Sequence, residues 1–177
     1  MLTLVPMGVA DLEAVEGWLG QPHVARWYLA GSTIEDEIED LRGSVTGTEP
    51  TKVFVVEVDT EPVGWCQWYR CGDYPGHAAG TGASAGDVGI DYAIGEPTLV
   101  GKGLGTALVA ALVRDARTTH PHAAIIADPD ADNLGSRRVL EKNGFELVDE
   151  RPVSSERSVA PVAIYRLPPS IADGHDH

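Results

Sequence analysis

Apolar and polar positions alternate most clearly at residues 88–94. Val88, Ile90, Tyr92 and Ile94 share one face of a strand, and Gly89, Asp91 and Ala93 share the other. A single carboxylate thus sits on an otherwise uncharged strand. Val100-Gly101-Lys102-Gly103-Leu104-Gly105-Thr106 follows as a glycine turn. A helix comes next over 106–114, with Leu104, Leu108 and Leu112 along one side. Upstream, residues 2–6 read as a strand. A helix over 10–19 has Val9, Leu12, Val15 and Leu19 near one face, and a short helical turn spans 23–27. Ser32-Thr33-Ile34-Glu35 fits a capping box that opens a helix through Leu41, with a loop over 43–50. Residues 53–58 and 63–70 form a hairpin around Asp59-Thr60-Glu61-Pro62. Trp65 and Trp68 lie an odd step apart on its second strand, so one of them is expected to face the core.

The Gly-, Ala- and Ser-rich stretch 72–86 shows no period and reads as a long irregular loop, the kind that is often mobile and functional. Residues 123–127 form a short apolar strand. Strand, helix and strand in this order imply a right-handed crossover between parallel strands. Residues 128–132 supply turn and cap residues, and a helix over 133–142 stops at Asn143-Gly144. Strands over 145–153 and 162–167 flank a loop at 154–160. The reading is one domain over 1–167 and a frayed tail over 168–177, without internal repeats.

Composition narrows the class. A chain of 177 residues with 43% apolar content buries enough surface for a core without metal or disulfide. No run approaches the ~20 apolar residues of a membrane span, and no basic stretch precedes an apolar one at the start, so no signal peptide is expected. Cys66 and Cys71, an odd step apart, should face opposite sides. No disulfide is expected, and a cytoplasmic location is. The net charge of −14 argues against nucleic acid. It is compatible with a cationic small molecule drawn into an acidic cleft, though charge alone favours a surface that is simply kept soluble.

Bare amides at a helix start favour an anion. Gly101, Gly103 and Gly105 cost more backbone entropy than a plain turn needs, which points to a ligand, and a pyrophosphate fits. The spacing is neither a P-loop nor the dinucleotide fingerprint. The six histidines show no ligand spacing, so no metal is expected. No Cys or Ser sits beside a plausible base, which disfavours a covalent enzyme intermediate.

The glycine turn, the hairpin before it and residues 133–145 after it resemble the GNAT superfamily of acetyl-CoA-dependent N-acyltransferases. Within it the chain is most similar to bacterial aminoglycoside 6′-N-acetyltransferases. The likeness runs from the first helix to the last strand. It rests on Trp27 after Pro22-His23-Val24, Gln67-Trp68-Tyr69, Gly89-Ile90-Asp91, residues 101–106, Asp128-Pro129, Asn133-Leu134, and Glu141-Lys142 with Gly144-Phe145.

The resemblance implies an α/β (α+β) fold with a mixed central sheet, helices on both faces, and fourth and fifth strands that splay apart. Acetyl-CoA would lie in that V, its pantetheine on the backbone of the Asp91 strand out to Ile94. Its pyrophosphate would rest on Val100, Gly101, Lys102, Gly103, Gly105 and Thr106, with Asn133 and Arg138 as further contacts. Asp91 would be the base. Asp91, Asp128, Trp27 and Tyr69 would hold an aminoglycoside. Arg137 and Lys102 are further candidates for phosphate contact or for plain surface roles. Asp73 and Asp87 either add to a negative cleft or are solvated. Asp91 read alone is also compatible with a solvated strand residue, and Asp128 with a turn or N-cap acid.

Two departures stand out. Val100 replaces a frequent Gln or Arg, a tolerable change where backbone makes the contact. Leu140 occupies the position of a tyrosine taken as the acid for the leaving thiolate. A thiol pKa near ~8.5 lets the thiolate leave with little help, so activity is expected nonetheless. The rival readings are acylation of another amine (a siderophore lysine, a polyamine or a protein N-terminus) and a non-catalytic acyl-CoA-binding module. Monomer and homodimer are both open.

Overall fold

Asp59 and Thr60 both adopt positive φ, 49° and 71°, the two-residue turn that matches strand twist in a tight hairpin. That turn sets Val58 opposite Glu61 and fixes the register between β2 (Lys52–Val58) and β3 (Glu61–Arg70). The computed structural model describes residues 1–152 and 160–171. The expected loop at 154–159, the strand end at Val153 and the tail beyond 171 lie outside them. Added to the hairpin are β1 (Leu2–Pro6), β4 (Val88–Ile94), β5 (Ile125–Ala127), β6 (Glu146–Pro152) and β7 (Pro161–Leu167). They form one mixed sheet in the order β1-β2-β3-β4-β5-β7-β6. Among the described residues, only β4 and β5 run parallel.

Side-chain alternation splits the core between the two faces. Trp68, Ile90 and Val88 point to one face and pack with Leu108, Leu112 and Leu140. These come from α5 (Leu104–Thr119) and α6 (Leu134–Lys142). Trp65, Val53 and Val55 point to the other face, beneath α1 (Leu12–Leu19), α2 (Pro22–Tyr28) and α3 (Ile34–Thr46). One tryptophan was expected to face the core, but both are buried, on opposite sides, because each face of the sheet carries its own core. Cys66 and Cys71 are both buried and unpaired.

Four expectations need correction. The cap of α3 is Thr33, one residue after Ser32, and its hydroxyl accepts from the Asp36 amide at 3.1 Å. That helix runs past Leu41 to Thr46, because a single Gly43 costs only about 1 kcal/mol inside a helix. Gly47, at φ 82°, supplies the left-handed residue that ends it. Residues 72–86 are not wholly irregular. A 3-10 turn (Cys71–Asp73) leads into α4 (Pro75–Thr81), started by Pro75 and closed by Gly82 at φ 74°. So short a helix buries only Ala78 and Thr81, too little to leave a period in the sequence. The first helix also begins later than expected, with a 3-10 turn over Val9–Asp11 ahead of it.

Close backbone approach explains one glycine that matters to the site. A Cβ on Gly89 would lie 2.3 Å from the ring of Tyr69, its cross-strand partner. Gly89→Ala is expected to cost about 1–3 kcal/mol, as overpacking does, measured as a lower urea midpoint. A variant of unchanged stability would show that the Tyr69 ring is free to move aside.

Candidate active site

The ladder between β4 and β5 ends almost as soon as it begins. It pairs Val88 with Ile125 and Gly89 with Ile126, and no further. Beyond Gly89 the two strands separate. The Gly95 amide donates to the Val63 carbonyl at 2.8 Å, so the odd-numbered residues of β4 serve the β3 ladder. The backbone groups of Tyr92 and Ile94 therefore face the opening. Side chains of α2 meet two of them: Tyr28 Oη donates to the Tyr92 carbonyl at 3.1 Å, and His23 Nε2 donates to the Ile94 carbonyl at 2.9 Å.

A cleft of about 170 Å³ occupies the opening, lined by Trp27, Ile90, Tyr92, Ala127, Asn133 and Ser136 among others. Tyr92 Oη and Ser136 Oγ bond across it at 2.6 Å. Asn133 caps α6, its Oδ1 accepting from the Ser136 amide at 3.1 Å. Gly103, at φ 80°, precedes α5, and no side chain caps that helix. The amides of its first turn have no partner within the helix. Gly101 is also left-handed, at φ 77°, and residues 101–103 are exposed. Gly105 packs so near α6 that a Cβ would meet Val139 Cγ2 at 3.1 Å. Backbone amides, not side chains, thus present themselves at the head of α5, as an anion requires.

A second, larger cavity of about 740 Å³ opens on the other side of β4. The two share Tyr28, Asp91 and Asp128. Its wall carries six carboxylates: Glu37, Glu39, Asp40, Glu49, Asp91 and Asp128. Among the described residues lining it there is no Lys or Arg, and His77 is the one basic side chain.

Asp91 is half-buried and is not a freely solvated strand residue. Gln67, directly opposite on β3, donates to its Oδ2 at 2.8 Å. Its pKa is pushed up to about 6, first by burial and then by the negative charge of Asp128. The Gln67 bond works against that rise. Asp128 does not cap a helix. Its Oδ2 takes a 2.8 Å bond from His77 Nε2, and its side chain is 15% exposed. Tyr69 is buried beside His77, with ring centroids 5.9 Å apart.

The remaining candidates divide. Trp27 lines the smaller cleft and not the larger cavity, with the Arg26 guanidinium 4.5 Å over its ring. Val100 is 50% exposed beside the glycine turn, and Arg138 is exposed on α6. Asp87 does not reach either cavity. It is buried and paired with Arg166 at 3.0 Å, since a charge left alone there would be costly. Asp73 is exposed and lines neither cavity. Arg137 is held by Tyr165 Oη, the Ala131 carbonyl and Glu150, which leaves it structural. Leu140 is wholly buried in the main core and does not line the cleft. Sequence reasoning missed His77, and gave Tyr28 and Gln67 no role. Pairing across the hairpin register would have found Gln67. His77 left no signal, being one histidine in a stretch without a period.

A GNAT acetyltransferase domain family matches residues 8–153, which is most of the chain. The chain belongs to the GNAT acetyltransferase family. It is 32% identical over 155 residues to an aminoglycoside N(6′)-acetyltransferase type 1 of Klebsiella pneumoniae, spanning 82% of this chain and 74% of that protein. It is 26% identical over 165 residues to the lysine N-acyltransferase MbtK of a Mycobacterium species, spanning 93% of this chain and 65% of that protein. A crystal structure of the aminoglycoside acetyltransferase AAC(6′)-Ib with coenzyme A and kanamycin superposes with a TM-score of 0.75 at 28% identity, covering 95% of both chains. The GNAT fold expected from the sequence is therefore observed, with its splayed strands. GNAT acetyltransferases use acetyl-CoA, and the bare amides of α5 together with the outward backbone of β4 suit a diphosphate and a run of amides. No helix among the described residues is long and apolar enough to cross a membrane.

A raised Asp91 pKa carries a stability cost of defined sign. The folded value near 6 exceeds the ordinary one, so the wild type loses stability as pH rises through about 4 to 6. Asp91→Asn retains an acceptor for Gln67 without the charge. It is expected to match the wild type near pH 4 and to exceed it by about 1–3 kcal/mol above about pH 7. Urea unfolding across that range checks this. A variant less stable at neutral pH would contradict it.

Proposed function

We propose that this chain transfers acetyl from acetyl-CoA to a primary amine of an aminoglycoside, the 6′ amine, by direct attack within a ternary complex. The observation that carries the reading is the meeting of a narrow cleft and a wide acidic cavity at Asp91 and Asp128. One opening suits a thioester arm and the other a polycation. The 32% identical relative, an aminoglycoside N(6′)-acetyltransferase, and the kanamycin bound to the AAC(6′)-Ib structure support the acceptor class.

Acetyl-CoA supplies the thioester carbonyl, whose C–S bond breaks as the amine nitrogen forms the amide. In this reading the chain does the rest. The amides of residues 101–106 and the backbone near Val100 and Ile94 bind the donor, with Asn133, Arg138 and Lys102 alongside. Asp128 attracts the acceptor ammonium and the Tyr69 ring packs on a sugar face, while Trp27, expected from the sequence to do the same, stands on the donor side in the smaller cleft. Asp91 takes the proton that the ammonium must lose before attack. A carboxylate near pKa 6 is better matched to that task than an ordinary one. Leu140 offers no proton to the departing thiolate, which leaves as a stable anion near ~8.5.

Lysine side-chain acylation is the second reading, favoured by the MbtK relative. A lysine brings one cation, whereas six carboxylates line the cavity.

Thiol release from acetyl-CoA with kanamycin, polyamines and lysine as acceptors separates these readings. Kanamycin is expected to be preferred, and release with lysine alone would overturn the proposal. Asp91→Asn should lower kcat by roughly 10²–10⁴, and wild-type kcat should fall below about pH 6. Undiminished turnover in that variant would remove Asp91 as base. Leu140→Tyr is expected to leave kcat within about tenfold, since the thiolate needs no acid. A gain of several hundredfold would show that it does.

A further inference from the structure

His77 stands on α4, in the stretch whose helix left no sequence period. Its imidazole is 32% exposed and bridges two residues of the larger cavity. Nε2 lies 2.8 Å from Asp128 Oδ2, and Nδ1 lies 3.4 Å from Tyr69 Oη. The neutral ring satisfies both contacts: Nε2–H donates to Asp128, while Nδ1 accepts from the Tyr69 hydroxyl. The protonated ring does so too, with Nδ1–H donating to a hydroxyl that has turned. A hydroxyl serves either way, so the geometry holds His77 in place in both charge states.

The groups around it are mostly acidic. Asp128 faces it from the end of β5, Asp91 from β4 and Tyr69 from β3, with Tyr74 packed on Tyr69. Glu37, Glu39, Asp40 and Glu49 lie along the cavity wall. At the far end of α4, an Arg151 nitrogen comes within 3.3 Å of a Cβ built on Gly82. The bond to Asp128 raises the pKa of His77, and burial opposes that rise.

We propose that His77 is the resident counter-cation of the acceptor cavity and gives up its proton when a polycation seats an ammonium against Asp128. The proposal rests on the acceptor reading above. Without acceptor, the imidazolium balances part of the wall's negative charge. With acceptor, two cations would share one carboxylate and repel. Losing the Nδ1 proton to solvent removes the repulsion, and Nε2–H still holds Asp128 in place. His77 is thus a positioning residue whose charge sets acceptor affinity. Binding should tighten as pH rises through its titration, more than the acceptor's own amines allow.

Calorimetry of kanamycin binding in two buffers of different ionisation enthalpy counts the protons exchanged. His77→Gln keeps a donor near Asp128 without the titration, and being half-exposed it should fold. Near about pH 6.5 the wild type is expected to release up to about one proton more than His77→Gln. The variant should bind more tightly than wild type near about pH 6 and equally near about pH 8.5. Spermine serves as a second polycation. Equal proton counts in the two proteins with bound kanamycin would overturn the proposal and leave the aminoglycoside reading standing. Binding of spermine alone, with the extra proton, would keep the counter-cation and remove the aminoglycoside. Binding of neither would overturn both.

Discussion

Two residue pairs hold β4 to β5, and the sheet then parts. In a sheet, unpaired backbone groups invite another strand. Here they face a cleft in the middle of the sheet, where no second protein strand can add. The groups of β4 beyond Gly89 are left for a ligand, or for the side chains of α2 that reach them now. The head of α5 opens nearby with bare amides. The seam is stable because everything around it is not splayed. β3 pairs along the whole of β4, and β7 supports β5. Above and below, Trp68, Leu108 and Trp65 anchor two separate cores.

The same strand also divides the chemistry. Even-numbered residues of β4 look toward α5 and α6, and odd-numbered ones toward α1 to α3. Asp91 therefore belongs to the acidic side, and its neighbour Tyr92 bonds to α6. Burial and the charge of Asp128 act together to weaken Asp91 as an acid, while Gln67 keeps its carboxylate oriented. A strongly acidic wall raises the energy of any further negative charge and lowers that of an incoming cation. In the proposed function these are one effect, seen once in the base and once in the acceptor.

Period-driven features were legible from the chain. The alternation of 88–94 and the apolar spacing of α5 each depend on local geometry that the residue order repeats. The glycine turn was legible because Gly101 and Gly103 do adopt positive φ. Short elements escaped. The helix Pro75–Thr81 buries two residues, and the extension of α3 past Gly43 is carried by Val45, one apolar residue that continues the Ile34, Ile38 and Leu41 spacing beyond a glycine. Long-range pairings escaped as well. Asp87 with Arg166, and Arg137 with Tyr165 and Glu150, look from sequence like free surface charges. His77 meets Asp128 across 51 positions, a contact only the fold creates.

The account stands or falls on where an acceptor amine sits relative to β4. A crystal structure of this chain with coenzyme A and kanamycin measures that directly. The account predicts pantetheine along the outward edge of β4, between β4 and β5, with the diphosphate at the head of α5. It also predicts one kanamycin amine within hydrogen-bonding distance of the Asp91 carboxylate. A thiol arm outside the splayed strands, or an antibiotic with no amine near Asp91, would contradict it.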